Sequence, residues 1–238
     1  MNKTVNSRKT AFILALVMCV SLLVSACEKV PSSDDGSGSN SGVSEETEMN
    51  ARIEIQIEDN NGNNKVQIPK FAADMPSDAI DKLNADIDPL ITVYEEAKDN
   101  VLKWPEIFTY TYESDEYLQA VVEYQEMPSL DLDYNVKTFT YDKENDKALQ
   151  IADALAMIDY TEAKFGSLVD NLYDDSEVGG ELKKYEINGL YISESGIVQF
   201  FVRLYVDTGM EEYSLMTTVV PKTKKLFTTD ENGLYIIE

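Results

Sequence analysis

Residues 185–220 read YEINGLYISESGIVQFFVRLYVDTGMEEYSLMTTVV, and this stretch decides the fold. Apolar, aromatic and β-branched residues dominate the runs Tyr185–Ser193, Gly196–Val206 and Tyr213–Val220, which is typical of strands. The polar turns between these runs are short, so the strands are expected to be antiparallel neighbours. Shorter runs at 225–227 and 234–237 continue the pattern. The second half of the chain therefore predicts an antiparallel meander.

A β-hairpin is predicted where the structured part of the chain begins. Isoleucines alternate with polar residues over 53–57, which is the period of a strand with one buried face. Asn61-Gly62 is a strong signal for a tight turn, and the apolar positions resume at 66–68. We expect the second strand of this hairpin to end at Pro69.

Two amphipathic helices are predicted between the hairpin and the meander. Ser77 is the expected cap of the first, and Asp159 with Glu162 has the capping-box spacing for the second. Pro89 either kinks the first helix or begins a separate helix capped by Asp88, and the unbroken apolar phase favours the kink. The apolar positions are Ile80, Leu83, Ile87, Ile91 and Tyr94 in the first helix and Phe165, Leu168, Val169 and Leu172 in the second.

Aromatic residues mark the strands between the two helices. After Trp104-Pro105, the residues Phe108, Tyr110 and Tyr112 share one face of a predicted strand that turns back at 114–116. Such a row can stack on a sugar, because aromatic rings present flat apolar faces. It more often covers a core, and the same alternatives hold for Trp104. We retain Trp104, Tyr110 and Tyr112 as candidate ligand contacts.

The order of the elements predicts the fold class. A further strand is expected at 137–141, and a polar turn connects it to a short segment at 149–151. The order is a hairpin, a helix, strands, a second helix and a meander. This order indicates an α+β fold, with an antiparallel sheet meander and two helices packed on one face. Residues 51–238 form either one domain or two fused subdomains, 51–135 and 136–238.

The N-terminal segment has the features of a lipoprotein signal. Lys3, Arg8 and Lys9 precede an apolar run that ends in Val24-Ser25-Ala26-Cys27, and this run is shorter than the roughly 20 residues of a membrane-spanning helix. We expect residues 1–26 to be a signal peptide and Cys27 to carry the lipid, palmitate included. The protein is therefore predicted to be anchored on the extracytoplasmic face of the cell membrane.

A polar segment separates Cys27 from the first strand. Residues 27–50 are rich in Ser, Gly, Asp and Glu, which is typical of a flexible tether. A Gly/Ser coil of this length spans roughly 25–30 Å, so the domain is expected to work close to the membrane.

The charge of the chain is strongly negative. Its 20 basic and 44 acidic residues give a net charge of −24, and loss of the three basic residues of the signal peptide makes this −27. Such a surface favours cationic partners and repels nucleic acid, which we exclude as a partner.

The residue types that are missing restrict the chemistry. The chain has no histidine, and its two cysteines are Cys19 in the signal peptide and Cys27 at the lipid site. Ser-His-Asp and Cys-His catalysis are therefore excluded, together with most zinc, copper and iron sites. We predict no cofactor, no metal and no enzymatic activity. A glycosidase that uses a pair of carboxylates stays as the alternative.

Two acidic segments are candidate sites. Residues 142–153 resemble a calcium-binding loop, but Lys147 stands where that loop needs glycine, and Asp153 replaces the final glutamate. We interpret the segment as a polar turn. Asp207, Glu211 and Glu212, in the turn at 207–212, are further candidate contacts because such turns are exposed.

Several motifs resemble a known group of exported proteins. Over residues 65–221 the chain is similar to the paired domains of unknown function of Firmicutes that occur in a lysozyme-sensing anti-sigma factor and in the accessory region of a peptidoglycan deacetylase. The resemblance implies an α+β binding or sensing module. The motifs that carry it are Ile68-Pro69-Lys70-Phe71, Leu83-Asn84, Phe139-Thr140-Tyr141-Asp142, the segment 149–155, Gly196–Phe201 and Val219-Val220-Pro221.

Two functions follow as hypotheses. The first is a non-catalytic module that binds or senses a cationic, lysozyme-like protein or a cell-wall fragment. The second is a carboxylate-dependent enzyme that acts on cell-wall glycan. The absence of histidine and of a recognisable acid–base motif favours the first.

Overall fold

The computed structural model describes residues 49–62, 64–99, 104–125, 134–228 and Ile236. The predicted signal peptide, Cys27 and the tether up to residue 48 lie outside the described residues. So does the predicted strand at 234–237, apart from Ile236.

The strands form two sheets. Sheet A has six strands in the order β1-β2-β3-β4-β5-β6, and sheet B has four in the order β10-β9-β8-β7. The strands are β1 Ala51–Asn61, β2 Asn64–Ala73, β3 Glu106–Glu113, β4 Tyr117–Gln125, β5 Asn135–Asp142, β6 Lys147–Leu149, β7 Glu181–Ile192, β8 Val198–Asp207, β9 Glu212–Val220 and β10 Lys225–Thr228. The helices are α1 Asp78–Ala97, α2 Ile151–Met157 and α3 Glu162–Asp174.

Sheet A begins with the predicted hairpin. β1 and β2 pair in antiparallel fashion, and Gly62 in the turn has a φ of +68°. β2 does not end at Pro69 as predicted, because it continues to Ala73. Pro69 pairs with Ile55 next to a β-bulge, and β3 pairs with β2 at Val66 only. Although Pro69 has no backbone N–H, β2 therefore loses no hydrogen bond to β3 at this position.

Helix α1 connects β2 to β3, the parallel pair of sheet A. Ser77 caps the helix, since its Oγ accepts a hydrogen bond from the N–H of Ile80 at 3.1 Å. A single helix continues through Pro89, so no separate helix begins there. Its buried face consists of Ala79, Ile80, Leu83, Ile87, Leu90, Tyr94 and Ala97.

The region between β5 and β7 differs from the prediction. The short segment at 149–151 divides between two elements, because β6 ends at Leu149 and the unpredicted helix α2 begins at Ile151. The Asp153 carboxylate accepts a hydrogen bond from the N–H of Gln150 at the start of α2. The cap of α3 is Thr161 rather than Asp159, because the Oγ1 of Thr161 accepts from the N–H of Lys164 at 3.2 Å. In the part of the chain that the structure describes, no helix is long and apolar enough to cross a membrane.

The helices lie on the outer sides of the two sheets. Helix α1 packs on one face of sheet A, and α2 and α3 pack on one face of sheet B. The second faces of the sheets meet in a smaller core that contains Val121, Val136, Tyr191, Phe201 and Met216. The α+β class and its antiparallel strands are confirmed, and the two predicted helices pack on different sheets.

Hydrogen bonds from side chains of sheet A to the backbone of β7 form what we call the sheet junction. The amide of Gln119 donates to the carbonyl of Ile192 at 2.7 Å and accepts from its N–H at 2.8 Å. The Oγ1 of Thr138 accepts from the N–H of Leu190 at 2.7 Å. Because β7 is an edge strand of sheet B, these side chains satisfy backbone groups that have no neighbouring strand among the described residues.

The guanidinium of Arg203 adds to the contact between the sheets. It is buried, and it donates to the carbonyl of Tyr134 at 2.7 Å and to the Oγ of Ser214 at 2.8 Å. A boundary between two subdomains after residue 135 would separate β5 from its partner β4. The chain passes from sheet A to sheet B later, between β6 and β7.

The raised pKa values of three tyrosines predict that the folded protein loses stability in alkali. The hydrogen bond to Asp59 and burial raise the pKa of Tyr94 to about 12. Burial and a hydrogen bond to Glu106 raise the pKa of Tyr134 to about 12. Burial and a hydrogen bond to Asp146 do the same for Tyr141. A raised pKa means that the folded state favours the neutral phenol. The free energy of unfolding should therefore hold up to about pH 10 and fall as the pH rises towards 12.

Denaturant unfolding at a series of pH values measures this loss, and phenolate absorbance follows the titration. Tyr94→Phe should remove one late-titrating phenol and make the loss less steep. A constant stability across this range, or titration of all tyrosines near the ordinary value of 10, would contradict the prediction.

Candidate functional site

Trp104 is part of the core and is not a surface contact. Its side chain is 6% exposed, and its ring meets that of Tyr94 edge to face, with centroids 5.8 Å apart. It therefore packs between the end of α1 and sheet A, where a ligand has no access. Of the two alternatives for Trp104, core packing fits the structure, and this burial speaks against a role as a ligand contact.

The aromatic row of β3 lies on the face of sheet A opposite α1. Tyr110 and Tyr112 pair with Val121 and Gln119, which contribute to the contact between the sheets. Phe108 packs edge to face on Tyr134 at 6.5 Å between centroids, and Tyr112 packs on Tyr191 at 4.8 Å. Only Tyr110 is exposed, at 45%. The row therefore covers the sheet, and its rings do not form a flat platform for a sugar.

One end of the row borders a cleft, which we call the tyrosine cleft. It has a volume of about 280 Å³ and is lined by Tyr112, Tyr191, Gln119, Thr111, Ser114 and the acidic residues Glu113 and Glu194. Glu113 ends β3, and Glu194 lies in the turn that follows β7. Gln119 lines this cleft and also holds Ile192, so the sheet junction fixes Tyr191 and Glu194 relative to Tyr112.

The electrostatics of the tyrosine cleft favour a cation. Glu113 forms an exposed ion pair with Lys143 at 2.8 Å, whereas Glu194 is exposed and forms no ion pair among the residues described. Aromatic faces attract cations, and nearby carboxylates add to this attraction. The cleft therefore has the chemistry to accept the side chain of a lysine or an arginine.

The turn at 207–212 has mostly a structural role. Asp207 accepts from the N–H of Gly209 at 2.6 Å and pairs with Lys183 at 3.3 Å, and these contacts lower the pKa of its carboxyl. Glu211 and Glu212 are exposed on the same turn. None of the three lines the tyrosine cleft.

The calcium-like segment is a turn held by its own hydrogen bonds. Asp142 accepts from the backbone and the side chain of Asn145 at 3.0 and 2.9 Å. Asp146 accepts from the hydroxyls of Ser77 and Tyr141, which ties the turn to the start of α1. Across the described ranges no cluster of three or more His, Cys, Asp or Glu is arranged to hold a metal ion.

The pKa values of two carboxyl groups bear on the glycosidase hypothesis. Hydrogen bonds lower the pKa of Asp59, through Tyr94, and of Glu186, through Lys184 and Tyr205. A general acid for glycoside hydrolysis needs a raised pKa, so these two carboxyls are not suited to that role.

No protein-family model and no curated protein matches the chain.

The residues of the tyrosine cleft were only partly found from the sequence. Tyr112 was a candidate, but Tyr191, Glu113 and Glu194 were not, because they meet only when the two sheets pack. The available signal was that each glutamate lies at a predicted hairpin turn. Sequence periodicity alone does not say that these turns reach the same point.

Proposed function

We propose that the chain is a lipid-anchored, non-catalytic module on the extracytoplasmic face of the cell membrane that binds a cationic protein. The observation that carries this proposal is the tyrosine cleft, where Tyr112 and Tyr191 adjoin two carboxylates in a chain of net charge −24. A basic side chain of the partner would enter the cleft. The acidic surface would speed the encounter by long-range attraction.

The anchor is tested by Cys27→Ala. Without the thiol, no thioether to lipid forms, so the protein should move from the membrane fraction to the soluble extracytoplasmic fraction. Fractionation and metabolic labelling with a radioactive fatty acid measure the change. Cys19→Ala is the matched control, because Cys19 lies in the predicted signal peptide. An unlabelled wild-type protein would contradict the proposal.

Binding is tested with lysozyme as the cationic probe and the full chain in detergent. We expect salt-sensitive binding, and Glu113→Gln with Glu194→Gln should weaken it about tenfold, or about 1.4 kcal/mol. The control is Glu211→Gln with Glu212→Gln, which removes the same charge away from the cleft and should change the affinity less than about threefold.

Three results would contradict the binding proposal. One is the absence of binding at low ionic strength, and another is an equal loss in the two double variants. The third is turnover of peptidoglycan by the purified chain that is lost when one carboxylate is neutralised, because this would support the carboxylate-enzyme hypothesis instead.

A further inference from the structure

Lys143 lies beside the tyrosine cleft without lining it. It is the first residue after β5, and its backbone N–H donates to the carbonyl of Glu116 at 2.8 Å. Glu116 belongs to the turn between β3 and β4, and Glu113 and Ser114, where this turn begins, line the cleft. The backbone therefore holds Lys143 against the wall of the cleft.

The ammonium group of Lys143 binds two residues of that wall. Its Nζ donates to the Oε1 of Glu113 and to the carbonyl oxygen of Ser114, both at 2.8 Å. The side chain of Lys143 is 26% exposed, and that of Glu113 is 66% exposed. The carboxylate of Glu113 can therefore be reached from solvent, but its charge is already balanced by a group of this chain.

The second carboxylate of the cleft is in a different state. Glu194 is exposed, and it forms no ion pair in the part of the chain that the structure describes. A cation that enters the cleft therefore meets one balanced and one unbalanced negative charge. Since the attraction depends on the net charge close to the cation, Glu113 and Glu194 are not equivalent.

The ion pair between Lys143 and Glu113 is weak enough to be displaced. Exposed ion pairs contribute little to stability, because water screens both charges and the two side chains lose freedom. A cation that leaves water for a place beside the rings of Tyr112 and Tyr191 can gain more than such a pair does. A basic side chain of a partner can therefore take Glu113 from Lys143, but part of its binding free energy is used to break the pair.

We propose that Lys143 is a built-in counterion of the tyrosine cleft, which limits the affinity for a cationic side chain and leaves Glu194 as the main carboxylate contact. This inference rests on the proposed function, since it concerns the same cleft and the same class of ligand. A partner with a single basic side chain is held less firmly than one whose second basic side chain displaces Lys143. The counterion therefore makes the cleft selective for a strongly basic surface.

Lys143→Met tests this inference, with lysozyme as the probe and the full chain in detergent at low ionic strength. The variant removes the ammonium group and keeps the backbone hydrogen bond to Glu116. We expect it to raise the affinity about threefold to fivefold, because Glu113 becomes a second unbalanced charge in the cleft. Lys143→Arg keeps the positive charge and should not raise the affinity.

Lys147→Met is the matched control. Lys147 begins β6 and pairs with Asp153 at 2.6 Å. This variant changes the net charge by the same amount and also releases a carboxylate, but neither Lys147 nor Asp153 lines the tyrosine cleft. It should therefore change the affinity for lysozyme less than about twofold.

Single variants of the two glutamates provide a second measurement. In the wild-type background Glu194→Gln should weaken lysozyme binding about fivefold, and Glu113→Gln less than about twofold. In the Lys143→Met background the effect of Glu113→Gln should rise to about threefold to fivefold, because the charge of Glu113 is no longer balanced. The difference between the two backgrounds measures the coupling of Lys143 to Glu113.

The results separate this inference from the proposed function. If the wild type and Lys143→Met bind lysozyme equally, or if the variant binds more weakly, the inference is overturned and the proposed function stands. If no version of the chain binds lysozyme, both are contradicted. If Lys143→Met does not fold, equal losses for Glu113→Gln and Glu194→Gln in the wild-type background overturn the inference.

Discussion

Replacing Gln119 by leucine is expected to lower the free energy of unfolding by about 2–4 kcal/mol. Gln119 is 3% exposed, and its amide bonds both backbone groups of Ile192. Leucine fills a similar volume but leaves a buried N–H and a buried carbonyl without partners. Each of these groups contributes about 1–3 kcal/mol when its partner is lost.

Urea unfolding followed by far-ultraviolet circular dichroism measures this effect. Gln67→Leu is the matched control, because Gln67 makes its side-chain hydrogen bond to Glu58 at the exposed surface, and it should change stability by less than about 0.5 kcal/mol. A similar small change in Gln119→Leu would show that the sheet junction does not depend on this amide. Because the junction also positions the tyrosine cleft, Gln119→Leu should weaken binding of lysozyme as well.

Replacing Gly189 by alanine is expected to lower the free energy of unfolding by about 1–3 kcal/mol. The added methyl group would lie 2.5 Å from the Cγ2 and 2.7 Å from the Oγ1 of Thr138. Thr138 cannot easily move aside, because its Oγ1 accepts the N–H of Leu190. The strain therefore acts directly on the contact between β5 and β7.

A double-mutant cycle tests this explanation. Thr138→Ala alone should cost about 1 kcal/mol, but combined with Gly189→Ala it should relieve the clash, so that the double variant is more stable than the sum of the single changes predicts. Gly179→Ala is the control, because a Cβ there meets nothing within 4 Å. Additive effects of Gly189→Ala and Thr138→Ala would contradict the proposed clash.

Local patterns in the sequence predicted most of the secondary structure. The cap at Ser77, the apolar stripe of α1 and the three long strands of sheet B follow from periodicity and turn chemistry, and the structure contains them all. Helix α2 was missed because seven residues are too few to establish a helical period. The cap of α3 was misplaced because Asp159 and Thr161 are both good capping residues.

The division into two sheets could not be predicted in the same way. Gln119 and Ile192 are separated by 73 residues, and neither shows in its local sequence that it bonds to the other. The tyrosine cleft arises where the sheets meet, so its residues are scattered along the chain. Trp104 was kept as a candidate contact beside the core-packing alternative, because the sequence does not distinguish an aromatic residue that packs in a core from one that contacts a ligand.

The sheet junction has a consequence for how such a sequence can diverge. Gln119 and Thr138 bond the backbone of Leu190 and Ile192, so these bonds require nothing of the side chains on β7. Substitutions at 190 and 192 that keep the core on the other side of the sheet can therefore accumulate without breaking these bonds, whereas Gly189 and Tyr191 of the same strand stay constrained by their contacts with Thr138 and Tyr112. Homologues could share this architecture with few identical positions in common, and the residues to look for in them are an amide at 119, a hydroxyl at 138 and a glycine at 189.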